Sequence, residues 1–197
     1  MIIGLTGGMA CGKSTCSNMI KKMGIQVFDA DAEAHKLLER DVRVIRDIQD
    51  QLPQAVDTID SKEFISRDKL SKLMLNDDSV IEIVTEAITI PLKYALLRFI
   101  ERNRDNRFAV VDAPMLFEYK WDTYCEKIIT VDAPRDRQEL RIMKRHGMTE
   151  LKMMILLDLQ MTSEERNLKS DYVIDNGSSL YNTNEQIVNI FLTLQQI

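Results

Sequence analysis

Residues 7–14 read Gly-Gly-Met-Ala-Cys-Gly-Lys-Ser, and this octapeptide restricts the fold of the chain more than any other stretch. It fits the pattern G-x-x-x-x-G-K-[ST]. The glycines allow the backbone to curl so that its N–H groups converge on one anion. The lysine bridges the β- and γ-phosphates of a nucleotide, and the hydroxyl binds Mg²⁺. Such a loop needs a strand before it and a helix after it, because the helix N-terminus adds partial positive charge. Both flanks are present. Met1-Ile-Ile-Gly-Leu-Thr6 is a short apolar run, residues 14–23 have helical composition, and Gly24 is a C-terminal stop. A pattern with four fixed places recurs by chance, so the flanks carry the reading. Gly8, Ala10, Cys11, Gly12, Lys13, Ser14 and Thr15 are therefore the expected nucleotide-binding residues.

Residues 25–29 read as a second strand, so the chain opens β-turn-α-β, the signature of a parallel sheet with helices on its faces. From Ala32 to about Arg104 helix formers dominate, interrupted only by Pro53 and Pro91. Leu70, Leu73 and Met74 share one helical face, and Ile81, Val84, Ile88 and Leu92 continue that spacing. This middle reads as an all-helical lobe inserted into the sheet domain. Strands return at 108–112, 127–132 and 172–175. Pro134 is expected at the first position of a helix that Gly147 ends, with further helices at 149–160 and 184–194.

A chain of 197 residues with 45% hydrophobic and 29% charged residues can bury a core without disulfides or metal, which excludes a disordered tail protein. Its net charge of −5 argues against nucleic acid as the main partner. The three cysteines form no CxxC pair and read as reduced thiols of a cytoplasmic protein. No apolar run is long enough to span a membrane, and the N-terminus lacks the basic region of a signal peptide.

Asp112 closes the run Phe-Ala-Val-Val. An acid at the C-terminal end of such a strand faces the crevice where α/β folds bind ligands, and beside a phosphate loop it would hold Mg²⁺, directly or through water. The plain alternative is an acid that starts a loop. Asp29 and Asp31 lie on the same side if the second strand persists. Asp31 is then either a base for a substrate hydroxyl or the N-cap of the next helix. Arg137, Arg141 and Arg145 share a helical face, and no acid stands at i±3 or i±4 of any of them. The stripe reads as awaiting a triphosphate, or as a solvated basic face. Cys11, close to loop amides, Lys13 and a helix N-terminus, is expected to have a lowered pKa. His35 and His146 have no evident partner.

At this point the chain resembles the dephospho-coenzyme A kinase family over nearly its whole length. The shared features are Ile3-Gly-Leu-Thr-Gly-Gly8 with the phosphate loop, Asp29-Ala-Asp31, Arg67 before Asp-Lys-Leu70, and Asp112-Ala-Pro-Met-Leu-Phe-Glu118. Gln138, Arg141 and Arg145 match the Gln-x-x-Arg-x-x-x-Arg of the family's lid. Gln160 with Glu164-Glu-Arg166, and Asp171-Tyr-Val-Ile-Asp-Asn-Gly177, complete the resemblance. It implies a P-loop NTPase-type α/β fold, a parallel sheet with helices on both faces, an inserted helical acceptor lobe and a helical lid. The implied division is a nucleotide core of 1–31, 105–133 and 167–197, an acceptor lobe of 32–104 and a lid of 134–166.

The implied reaction moves the γ-phosphoryl group of ATP to the 3′-hydroxyl of dephospho-CoA. Lys13 and the loop amides would hold phosphate, and Ser14 and Asp112 would hold Mg²⁺. Asp31 would be the base, and Arg141 and Arg145 would close over the phosphoryl group. No membrane or nucleic acid is implied, and the oligomeric state is open between a monomer and a weak homo-oligomer. The chain departs from the family at Ile90-Pro91, where His-Pro is common, at Thr162 for Pro, and at Arg166 for Lys. The first departure leaves a nucleoside or deoxynucleoside monophosphate kinase as the alternative. A GTP switch fits poorly, because Asn167-Leu-Lys-Ser-Asp171 is not Asn-Lys-x-Asp and Asp112-Ala-Pro-Met lacks the glycine of Asp-x-x-Gly.

Overall fold

The computed structural model describes residues 1–74, 77–144 and 161–196. The chain forms two compact units, Met1–Phe28 with Asn103–Ile197, and Asp29–Arg102.

The first unit is built on a five-stranded sheet of order β2-β5-β1-β6-β7. The strands are β1 (Ile2–Gly7), β2 (Gln26–Asp29), β5 (Ala109–Asp112), β6 (Lys127–Asp132) and β7 (Tyr172–Asp175). β1 runs parallel to β5 and β6, and β6 runs parallel to β7. The expected parallel α/β sheet flanked by helices is thus present. The chain leaves β1 through helix α1 (Lys13–Lys22) and enters β2, while β5 comes back between the two. That crossover sets Asp112, the last residue of β5, opposite Leu5 of β1, just before the loop.

Strand alternation divides the sheet into two chemically different faces. Ile3, Leu5, Val110, Ile129, Val131 and Ile174 point to one side and are buried with Cys16 and Ile20 of α1. Ile187, Ile190, Phe191 and Leu194 of the C-terminal helix α8 (Leu180–Leu194) complete that core. On the other face a Cβ at Gly4 would come within 2.7 Å of Leu116 and 3.1 Å of the Cys125 sulfur, so only glycine admits this approach. Trp121 is buried in a short 3₁₀ turn, edge-on to Phe28 at 6.2 Å. Two more helices of this unit are α6 (Arg135–Met143) and α7 (Ser163–Leu168). Pro134 precedes α6 as its N-cap, one position earlier than expected. Thr162, where the resembled family has proline, caps α7 through a reciprocal Thr162–Glu165 capping box. The expected helix at 149–160, Gly147 and His146 lie outside the described residues.

The second unit holds α2 (Ala30–Arg40), α3 (Val42–Gln51), α4 (Arg67–Met74) and α5 (Ser79–Arg102). It is not all-helical. Strands β3 (Val56–Ile59) and β4 (Lys62–Ile65) form an antiparallel hairpin. Its tip, Asp60 and Ser61, has φ of 49° and 62°, the left-handed pair that a two-residue hairpin turn requires. Nor does Pro91 interrupt a helix, since it lies inside the 24-residue α5. The missing N–H costs one backbone bond, and Val80, Val84, Leu92, Ala95 and Leu96, buried along α5, hold the helix through it. Ile81, expected on the inner face, is 47% exposed.

Candidate functional site

The phosphate loop turns on two residues with left-handed backbone. Ala10 has φ 59° and Gly12 has φ 90°. Gly12 is the N-cap of α1, and no side chain caps it. The Thr15 and Cys16 amides bond back to the Gly12 carbonyl at 2.9 and 3.2 Å, and the Cys11 amide bonds to Gly8 at 3.2 Å. The first amides of a helix have no partner within it, so this end attracts an anion. The Ser14 side chain is exposed at the same end, and Thr15 is half-buried.

The Lys13 ammonium pairs with an Asp112 carboxylate oxygen. Only 12% of the Lys13 side chain and 3% of the Asp112 side chain are exposed, so the two charges neutralise each other almost out of water. Beyond β5 the Thr6 hydroxyl donates to the Pro114 carbonyl at 3.1 Å and fixes the segment after Asp112. Among the described residues no cluster of three or more His, Cys, Asp or Glu could hold a metal by itself. Ser14 and Asp112 are hard oxygen donors, which suit a magnesium ion that arrives with phosphate oxygens.

Arg141 is not awaiting an anion in the way its sequence context suggests. Nη1 donates to the Ala10 carbonyl at 3.0 Å and Nη2 to the Asn176 carbonyl at 2.9 Å. Its partners are backbone oxygens more than thirty residues away, which a search for acids on the same helix cannot find. Ile142 adds apolar contact from α6 to Met9 and Ala10. Arg137 is exposed, and Arg145 lies outside the described residues. Gln138 is buried and donates to the Ala133 carbonyl at 2.7 Å.

Two residues of the site escaped the sequence reading. Asn176 donates from Nδ2 to the Cys11 carbonyl at 2.7 Å. Arg166 is 3% exposed, and its Nη1 would lie 3.1 Å from a Cβ on Gly8. Its guanidinium also donates to the Met161 carbonyl at 2.5 Å. Arg166 and Gly8 line a cavity of about 790 Å³ with Asp132, Pro134, Gln138 and Asp175. Asp132 organises that wall. One carboxylate oxygen accepts from Ser163 and from the Ala133 amide, both at 2.9 Å, and the other accepts from Asn167 at 2.9 Å. The family-like Glu-Glu-Arg segment was the only available signal for Arg166.

The expectation for Cys11 is overturned. Its side chain is fully buried, and burial together with the neighbouring Asp132 pushes the thiol up to about 11, against the lowering by Arg166. Cys16 and Cys125 are pushed up to about 12, burial being the main cause in each. Backbone groups at Ala133 and Gly8 still pull the Cys11 thiol down, but burial outweighs them.

β2 ends at Asp29 and α2 begins at Ala30, so strand alternation does not reach Asp31. The cap is Asp29, whose side chain accepts from the Ala32 amide at 3.0 Å. Asp31 is exposed in the first turn, with no capping duty. Ile90 is 63% exposed and lines a cavity of about 580 Å³ with Arg43, Pro91, Tyr94 and Arg98. Arg67 opens α4 and is exposed.

Comparison with known proteins points to one family. The family model described as dephospho-CoA kinase matches residues 1–182. A dephospho-CoA kinase of Bartonella quintana is 34% identical over 195 residues, covering 98% of this chain and 97% of that protein. Among solved structures, dephospho-CoA kinase from Campylobacter jejuni has a TM-score of 0.74 at 22% identity, covering 99% of this chain and 97% of the other. Shikimate kinase from Bacteroides thetaiotaomicron has a TM-score of 0.52 at 12% identity, with coverages of 99% and 98%. At these identities the two structures speak for the fold alone, a P-loop kinase α/β fold.

Proposed function

We infer that this chain, which belongs to the dephospho-CoA kinase family, transfers the γ-phosphoryl group of ATP to the 3′-hydroxyl of dephospho-CoA to give CoA and ADP. The observation that carries the reading is the braced loop, with Lys13 on Asp112, inside a chain that the family model matches from residue 1 to 182.

Phosphoryl transfer asks a protein mainly for position and charge. The loop amides and Lys13 hold the phosphates. To reach them Lys13 exchanges Asp112 for phosphate oxygens. Ser14 and Asp112 would hold Mg²⁺, which when bound spreads the charge of the β- and γ-phosphates. Asp31, exposed and not needed as a cap, accepts the proton of the acceptor hydroxyl. Arg141 keeps the loop in shape, and Arg145 supplies the cation over the transferred group.

The acceptor lobe corresponds to residues 32–104 and the lid to 134–166, around the core of 1–31, 105–133 and 167–197. The cavity beside Ile90 is the place where this chain's departure from His-Pro bears on the acceptor. A small-molecule substrate, three free thiols and the lack, among the described residues, of a helix long and apolar enough to cross a membrane support a cytoplasmic enzyme.

The test is ADP release measured with dephospho-CoA and with a panel of nucleoside monophosphates. Turnover with dephospho-CoA far above the panel is expected. A nucleoside monophosphate that outperforms it overturns the acceptor.

A further inference from the structure

The Asp-Asn-Gly turn after β7 has the composition of an ordinary surface turn, yet Asn176 is 4% exposed. Four contacts fix it. Its N–H donates to the Asp132 carbonyl at 2.8 Å, and its carbonyl accepts from Arg141 at 2.9 Å. Nδ2 donates to the Cys11 carbonyl at 2.7 Å, and Oδ1 accepts from the Thr183 hydroxyl at 2.9 Å. The amide cannot be turned over. A carbonyl only accepts, so the NH₂ must face Cys11, and the oxygen is left for the hydroxyl of Thr183. Thr183 is itself fully buried near the start of α8.

Holding the Cys11 carbonyl decides where a neighbouring N–H goes. A trans peptide is planar, and its C=O and N–H point opposite ways. With the Cys11 carbonyl on Asn176, the N–H of the same peptide, which belongs to Gly12, points away from Asn176. Gly12 is matched to this twice over. Its φ of 90° suits only glycine, and a Cβ there would fall 2.0 Å from Asn176 Nδ2. Arg141 does the same for the preceding peptide by holding the Ala10 carbonyl.

We propose that Asn176 is a positioning residue for the nucleotide, aiming the Gly12 N–H at bound phosphate, and that the Thr183 hydroxyl, shared between Asn176 Oδ1 and the Ser179 carbonyl at 3.1 Å, steadies the amide that the Cys11 carbonyl orients. This rests on reading residues 7–14 as the nucleotide site, and it does not depend on the acceptor. Asn176→Asp keeps the shape but sets an oxygen against the Cys11 carbonyl. Thr183→Val removes the hydroxyl that steadies the amide oxygen, and Thr183→Ser restores it. Ile187→Val, in the same helix and the same core but with no part in these hydrogen bonds, is the control for stability alone.

ATP binding is measured by calorimetry without acceptor, alongside melting temperature and turnover. Loss of a buried hydrogen bond predicts that Asn176→Asp weakens ATP binding about 10- to 100-fold and Thr183→Val about 5-fold. KM for ATP should rise with them, while kcat at saturating ATP falls less than about threefold. Thr183→Ser and Ile187→Val should bind ATP within about twofold of wild type, whatever their melting temperatures. The proposal fails if Asn176→Asp and Thr183→Val bind ATP like wild type, or if affinity follows melting temperature equally in Ile187→Val. Should Asn176→Asp not fold, Thr183→Val against Thr183→Ser decides. A wild-type protein that binds no ATP sinks the nucleotide reading and this inference together. One that binds ATP but does not phosphorylate dephospho-CoA loses only its acceptor, and the affinity comparison stands.

Discussion

The two units bury different things. In the first, Thr6, Asp112, Gln138, Arg166, Asn176 and Thr183 are all at or below 5% exposure, alongside the apolar sheet face. In the second, among the described residues, Ser66 is the one buried polar residue in a core of Val44, Ile45, Ile48, Leu92 and Leu96. A buried polar group is costly unless it is satisfied, so it fixes geometry in a way that apolar packing does not. The first unit spends its interior on holding a backbone loop at set angles. The second is held by aliphatic packing, which tolerates exchange of similar volumes.

The comparison makes its largest claim at Lys13. Lys13→Ala should remove measurable turnover, a loss of about 10³-fold or more, because it takes a charge from the phosphates. It should also lower the melting temperature, since the buried Asp112 carboxylate loses the Lys13 ammonium. Steady-state rates and thermal unfolding check both parts.

Asp31→Asn should cut turnover by roughly 10²- to 10⁴-fold while ATP binding survives. Asp29→Ala should instead cost about 1 kcal/mol of stability through the lost cap, with chemistry largely kept. The pair separates catalysis from capping, and near-full activity in Asp31→Asn would put the base elsewhere.

Cys11 should be alkylated at pH 7.5 at least about tenfold more slowly than a free thiol, because it is fully buried and burial raises its pKa to about 11 from the ordinary 9.0. The sign for stability follows. The folded state disfavours the thiolate, so stability is full below pH 9 and falls as pH rises from there toward 11. Mass spectrometry of iodoacetamide-treated protein reads the rate.

Arg141→Ala should weaken ATP binding by about tenfold or more, with kcat less affected, since its partners are loop carbonyls. A loss confined to kcat would return Arg141 to the transition state. The smallest effect belongs to the second unit. Ile90→His, at a site 63% exposed, should change stability by less than about 0.5 kcal/mol, and any change should show in KM for the acceptor.

What could be read from the sequence was local. The phosphate loop, its flanking strand and helix, and Asp112 at a strand end are each spelled by neighbours in the chain. The hairpin at 56–65 was missed because its tip is Asp60-Ser61 and not the Asn-Gly that announces such a turn. Pro91 was given its usual breaking role because the packing that carries α5 through it comes from elsewhere in the sequence. Arg141, Asn176 and Cys11 fail for one shared reason. Each is decided by a partner 35 to 165 residues away, namely Asn176 and Ala10 for Arg141, Cys11 for Asn176, and Asp132 for Cys11. Periodicity and spacing carry no record of such contacts.

Orthophosphate or sulfate approaching the loop would find Lys13 already engaged. Capturing it would strip a carboxylate that is nearly out of water of its counter-charge, at a cost of several kcal/mol by order of magnitude. A simple oxyanion gains the loop amides but brings no cation to replace Lys13. A nucleotide that arrived with a divalent counter-ion would return positive charge to Asp112 while taking Lys13. On the proposed function, the ion pair at the end of β5 would make the loop favour a polyphosphate that travels with a cation over a bare inorganic anion.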